Sequence, residues 1–483
     1  MGKMLIFILA ASVLSASFAG GLAVYPALEG MPRAGDFRVK VKGQELFVHT
    51  CEVAAFSQFS FSGKANVEIF PSHDVKRVDI RPVHAGIRPV VENNGIRLEL
   101  AKPAYLSIEL NGESVRPLFL FADAPETDVP DSLDAAVRFF KAGRIHEAGE
   151  IRLASGESVY VEGGAVLRGN IVAEDAKKIR VYGRGIIDGS PFRGAERKKR
   201  IIDLARCEDV ALEGVIILDS QTWTIVPQFC RNVQIRGIKQ VNWQFGSDGV
   251  DIVGSSGVLI EGCFLRNNDD CIAVKTWGGA EKYPRETVKG PDVFDVWVRN
   301  SVFWNMAWGN ALEIGFELRA DRIHGISFID CDIIHVERGA AFSIHNGDYA
   351  SVEDIRFEDI RVEDCRHKLI DLAVFQSQYS VDRPQDPEER RRRYLNGAWD
   401  GVLRVPPEEM EQASTHRGFI RRVVFRDISV DDGPFPFSIL SGFDKVHAVE
   451  NVTIENLIIL GRKIGNAEEG RFFLEHTKDI RFK

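Results

Sequence analysis

The chain reads as an all-β protein: a right-handed parallel β-helix of about ten rungs preceded by a small β-sandwich. Three observations lead there. A short β-rich unit recurs through the second two-thirds of the chain, the first 130 residues alternate without it, and a polar, proline-containing stretch, Asp123-Ala124-Pro125-Glu126-Thr127-Asp128-Val129-Pro130, separates the two textures. With 483 residues there is room for two or three domains and a large core.

Taken in order, residues 1–19 have the pattern of a secretory signal peptide. Lys3 gives a weak positive start, Met4 to Leu14 form an apolar run, and Ser17-Phe18-Ala19 offers small residues at a cleavage site. The run is too short for a comfortable membrane span. The expectation is a secreted or periplasmic protein with no membrane insertion after signal cleavage, a retained signal anchor being the alternative. Residues 20–130 are read as the sandwich domain. Phe37–Lys42, Ala65–Phe70, Val75–Arg81 and Gly95–Leu100 alternate or run apolar between turn signals, as strands do.

Residues 131–483 are read as the β-helix. A unit of the form (Asn/Asp/Gly)-Val-x-Ile-x-(Gly/Asp/Asn)-x-x-(Ile/Val) recurs with its first apolar residue at Ile179, Val210, Val233, Val258, Val296, Ile326, Ile355, Val423, Val452 and Ile480. Such a unit cannot bury its apolar face alone but can stack on its neighbours. The Leu/Asn and Gly-His…Trp-Asp signatures of rival repeat folds are missing. The one long interval, Ile355 to Val423, implies an insertion at about 383–416, with a helix opening at Asp386-Pro387 and running through Arg390–Arg393 as a salt-bridged face.

Composition narrows the partners. The chain is 45% apolar and 27% charged, with a formal charge of −9. That balance argues against nucleic acid and gives no membrane-surface patch. Seven cysteines in a chain this long do not make a disulfide framework. Cys207 with Cys230, and Cys331 with Cys365, are spaced to stack in the core as small hydrophobes. No C-x-x-C or His-rich cluster points to a metal, and no cofactor is expected.

The chemistry concentrates in GSDGVDIVGSSGVLIEGCFLRNNDDCIAVK, residues 246–275. Acidic side chains are poor strand residues, and crowding raises the energy of their ionised forms. Here Asp248 with Asp251, and Asp269 with Asp270, stand about one repeat apart, which stacked rungs would bring to about 4.8 Å. Opposed carboxylates are the usual equipment for cleaving a glycosidic bond. Asp269 and Asp270 share a cleft only at a bend or bulge, and the bland alternative is that one caps a turn. Asp251 is read as structural, hydrogen-bonding a neighbouring turn. Lys275 either contacts a sugar hydroxyl or pairs with an aspartate.

Six of the seven tryptophans (Trp223, Trp243, Trp277, Trp297, Trp304 and Trp308) fall near these acids. Aromatic faces stack on sugar rings. Trp277 and Trp308 are the candidate platforms, while Trp297, within VWVRN, is expected in the core. In LEIG, Glu313 should point outward beside the cleft, either bonding a sugar hydroxyl or standing as a structural glutamate.

These motifs resemble the polygalacturonases of glycoside hydrolase family 28, through Asp248, Asp269-Asp270, the trailing CIAVK and GRGIIDG at 183–189. NNDDCIAVKTW is also similar to the dextranases and isopullulanases of family 49, which join a β-sandwich to a β-helix. The resemblance implies a carbohydrate substrate and hydrolysis with inversion, with Asp269 as general acid and Asp248 and Asp270 sharing the water. There are departures. The family's Asn-Thr-Asp is Gly246-Ser247-Asp248, its Gly-His-Gly is Gly309-Asn310-Ala311, and its Arg-Ile-Lys falls near Ser343-Ile344-His345. Asn310 and His345 are thus candidate substrate contacts, and a site without the Arg/Lys grip on a uronate points to a neutral glycan. The alternatives are a Ca²⁺-dependent polysaccharide lyase, with the aspartates as oxygen ligands, and a non-catalytic glycan-binding β-helix.

Overall fold

The computed structural model describes residues 21–195, 199–278, 289–395 and 401–483, so the signal-peptide reading of 1–19 lies outside the described residues. Its N-terminal part is a two-sheet sandwich. One sheet runs Leu22–Val24, Ala55–Phe61, Glu113–Asp123, Ala104–Leu110, Val78–Arg81 in spatial order, and the other Gln44–Glu45, Phe37–Val41, Ala65–Pro71, Gly95–Leu100, Val90–Glu92. Alternation does the work in the second sheet: Val39, Val41, Val67 and Ile69 face Phe59, Leu106 and Leu120 across the core. The first sheet is covered on both faces. Its outer side chains Phe56, Phe119 and Phe121 pack on Phe264 and Trp304 of the following domain, Phe119 meeting Trp304 edge-on at 5.7 Å. That explains why Ala55–Phe61 is buried throughout.

From Val137 onward the described residues form one 29-stranded sheet, the wall of a parallel β-helix, parallel except where Arg462–Lys463 folds back on Val449–Ile459. The ten apolar residues of the repeat form one continuous column. Ile179 pairs with Val210, then Val233, Val258, Val296, Ile326, Ile355, Val423, Val452 and Ile480, each on the next coil. The residue before each of them is in the left-handed region: Asp209, Asn232, Gly257, Asp295, Gly325, Asp354, Asn451 and Asp479, with Lys178 and Arg422 as exceptions in kind. Gly, Asn and Asp tolerate that conformation best, which is why the repeat opens with them. Phe328, Phe357 and Phe425 stack inside at 4.9 Å and 3°, one ring per coil.

The insertion carries a helix, Pro387–Arg393, capped by the Asp386 side chain on Glu388 N. Three of its arginines are salt-bridged, Arg391 to Glu388, Arg392 to Glu389 and Arg393 to Glu389 and Glu409, whereas Arg390 donates to the Pro384 and Gln385 carbonyls. All seven cysteines are free. Cys207 and Cys230 stack, with Cys207 N at 3.4 Å from the Cys230 sulfur. Cys331 and Cys365 do not, because Cys331 lies opposite Ile360.

Candidate active site

The turns that lead into successive strands build the site. Thr224 N donates to Asp248 O, Gly249 N to Asp270 O and Cys271 N to Asn310 O, at 2.8–3.1 Å, so Asp248, Asp270 and Asn310 occupy one place on three consecutive coils. Asp269 and Asp270 sit in a bend before the strand Ile272–Thr276, which lets both converge on Asp248. Gly309, at φ +61°, lies against them. A Cβ there would stand 2.4 Å from Asp269 Oδ1, so the close approach requires glycine. Asn305 Nδ2 ties the bend by donating to the Asp269 and Trp308 carbonyls, and Asn267 stacks on Asn305 from the coil before.

Carboxylate oxygens of Asp248, Asp269 and Asp270 lie within 4.8 Å of one another. Asp248 and Asp270 are buried, while Asp269 is partly exposed. Burial is the first cause of every pKa shift here, and neighbouring charge is the second. Burial, then Asp251 and Asp269, push Asp248 well above the usual range. Burial, then Asp269 and Glu313, do the same to Asp270. Burial carries Asp269 to about 6 against the pull of Lys275. The cluster therefore holds protons as a unit near neutral pH.

Lys275 supplies the counter-charge. Its Nζ stands 3.1 Å from Asp251 Oδ1, 3.5 Å from Asp248 Oδ2, and 4.2 Å from the Trp223 ring centre. Burial opposes its charge, but Asp251 and Asp248 outweigh burial and hold the ammonium well above the usual lysine range. Of the two sequence readings, Lys275 thus pairs with aspartates. Asp251 bonds this ammonium rather than a neighbouring turn, because the strands Val250–Val253 and Ile272–Thr276 put both side chains on the groove face.

Asn310, Glu313 and His345 form a second, deeper row. Asn310 N donates to Asp270 Oδ1 at 2.7 Å and its Nδ2 to Glu313 Oε2 at 3.0 Å. Glu313 also accepts from Ser343 and pairs with His345 Nδ1 at 3.1 Å, and His345 Nε2 reaches Asp371 Oδ2 at 3.2 Å. Burial alone would lower the imidazole pKa, but Glu313 and Asp371 push it up to about 10. His345 and Lys368 hold Asp371 at about 2 against its burial. Glu313 points outward from the helix as LEIG alternation requires, yet is fully covered.

The tryptophans divide. Trp308 is partly exposed, edge-on to Phe245 at 5.3 Å and under Arg338 at 5.2 Å. Trp277 is buried against Trp223, Val226 and Val253. Trp297 is 40% exposed, contrary to the core expectation, because Val296 and Val298 take the inward positions of its strand. Two contributors escaped the sequence reading. Asp371 had a signal, an acid inside the apolar strand LIDLAV. Arg200, in the basic run ERKKR, had none.

The Glycosyl hydrolases family 28 model matches residues 149–382, which hold this whole constellation. A probable endopolygalacturonase I of Aspergillus terreus is 24% identical over 205 residues, covering 41% of this chain and 50% of that protein. A probable polygalacturonase of Vitis vinifera is 28% identical over 101 residues, 20% of this chain and 21% of that protein. The chain thus spans half or less of the length of these curated relatives. Among solved structures, Dex49A from Penicillium minioluteum superposes with a TM-score of 0.63 at 14% identity, covering 95% of this chain and 96% of that one. That likeness is one of fold, and its coverage takes in both the sandwich and the β-helix.

Proposed function

We propose that this chain, a polygalacturonase-like glycoside hydrolase with its family 28 match in the β-helix, cleaves O-glycosidic bonds of an extracytoplasmic glycan that is neutral at the point of cleavage. The three aspartates on adjoining coils carry the reading. Asp269 is the general acid, since it alone of the three opens toward the groove and still keeps a proton near pH 6. Asp248 and Asp270 hold the water, and Lys275, 3.5 Å from Asp248, draws the pKa of the inner pair down against their burial. Export rests on the pattern of residues 1–19. The neutral substrate follows from the Ser343–His345 position, where His345 is already held between Glu313 and Asp371, and Lys368 is paired with Asp371.

Inversion is taken from the family likeness. Inverting carboxylates more often stand about 6.5–9.5 Å apart, so the close spacing is the one feature that favours retention. The anomer of the first product, followed by NMR, separates the two. A panel of neutral and acidic glycans, read for reducing ends and ultraviolet absorbance together, tests the reaction class. Hydrolysis gives new ends without absorbance. An absorbing product abolished by a chelator would move the same carboxylates to a Ca²⁺-dependent elimination.

A further inference from the structure

We propose that Arg200 and Trp223 form a receptor for an oxyanion on the glycan, a carboxylate or a sulfate ester, two coils before the Asp248 turn; this rests on the glycoside-hydrolase reading. The backbone ladder sets the place. Ile201 N donates to Thr224 O at 3.1 Å and Thr224 N to Asp248 O at 3.0 Å, so Arg200, Trp223 and Asp248 lie on successive coils. Arg200 is then about 10 Å from the aspartates along the helix axis.

The Arg200 side chain is 3% exposed. Nη1 donates to Asp203 Oδ1 at 2.7 Å, and among the described residues neither Nε nor Nη2 has a hydrogen-bond partner. Those two nitrogens share one edge of the planar guanidinium, the fork that carboxylates and sulfates fill with two parallel bonds. Two buried donors without a protein acceptor are costly, and an arriving oxyanion supplies the acceptors.

The surrounding charge agrees. Lys275 and Arg200 approach the same Trp223 ring, at 4.2 and 5.2 Å from its centre. Lys275 is matched by two buried carboxylates at contact distance, whereas Arg200 has, among the described residues, one ion-pair partner, Asp203, whose side chain is 38% exposed, and a longer-range attraction to Asp251. Arg200 is thus less closely matched than Lys275, and it stands two coils before the Asp248 turn. The fitting ligand is a mixed glycan, neutral where it is cut and anionic further along the groove, with the Trp223 ring as apolar wall.

Binding of glucuronic acid, its methyl ester and glucose 6-sulfate to the full chain, followed by ligand-observed NMR at low ionic strength, tests this. At least one anion should bind about tenfold or more tighter than the ester, and the tighter anion identifies the substituent. Arg200→Gln should erase the preference, and Arg200→Lys, which keeps charge without the fork, should retain only part of it. Equal binding of acids and ester by the unaltered chain would overturn the proposal, and this comparison needs no variant to fold. So would a preference that survives in folded Arg200→Gln. Asp269→Asn should keep the preference. An anion preference in a chain that hydrolyses no glycan would overturn the hydrolase reading and sustain the receptor; hydrolysis without preference would do the reverse.

Discussion

Two clusters of buried carboxylates lie in this chain, and they are finished differently. At the seam between sandwich and β-helix, Glu109 accepts from Ser107, Arg81 and His335, Glu363 from Arg81 and Val83 N, and Asp364 from His335 and Arg366. Each of these acids has its partners. In the groove, Asp248 Oδ1, Asp251 Oδ2 and Glu313 Oε1 have no hydrogen-bond donor, and Gly309 lets Asp269 and Asp270 crowd together. Burying acids therefore does not distinguish a working site from a structural clasp. Incomplete satisfaction does, because unmatched polar atoms are costly to fold and become useful when a polar ligand arrives.

The contrast should show first in Asp269→Asn. Its turnover is expected to fall roughly 10²–10⁴-fold while the protein stays folded and binds glycan; near-normal rates would remove the acid assignment. Arg81→Met at the seam should behave oppositely. It strands Glu109 and Glu363 and should cost about 3–5 kcal/mol in denaturant unfolding with turnover unchanged. A loss of activity without a loss of stability there would break the comparison.

Lys275→Met probes the ammonium paired with Asp248 and Asp251. Without the ammonium, Asp248 and Asp251 hold protons to higher pH, so the low-pH limb of kcat/KM should move up by about one unit. A limb that stays in place would mean that Lys275 serves only to pack the groove. The smallest effect belongs to Trp308→Ala. Loss of a half-open sugar platform should raise KM by about 1 kcal/mol in binding terms and spare kcat. A fall in kcat alone would instead assign Trp308 to the support of the Asp269 bend.

The two clusters also show what the sequence could carry. The stacked column was legible because each coil must open with a residue that accepts a left-handed turn, and Asp209, Asn232 and Gly257 announce it. Asp248, Asp269 and Asp270 stood out because acids at one-repeat spacing must meet. What lay beyond reach was the roof over the outward face. Glu313 points outward as expected yet is fully covered, and Trp277 at the end of its strand is buried while Trp297 is not. The clasp at Glu109 and His335 joins residues 226 positions apart, and nothing in a local pattern pairs them. Arg200 looked like one more residue of a basic run; only its unfilled edge sets it apart.

The most direct measurement is the unfolding free energy of Asp269→Asn relative to the unaltered chain across pH, with turnover recorded on the same samples. Asp269 is raised in the folded state from 3.8 to about 6, so its contribution to stability is present below pH 3.8 and lost as pH rises through about 6. Above pH 6 the variant should therefore be the more stable protein, by on the order of 1–3 kcal/mol, with the difference fading below about pH 4. Its turnover should stay roughly 10²–10⁴-fold down throughout. A variant equally or less stable at neutral pH, or one with near-normal turnover, would contradict the view that the groove keeps its acids unsatisfied in order to use them.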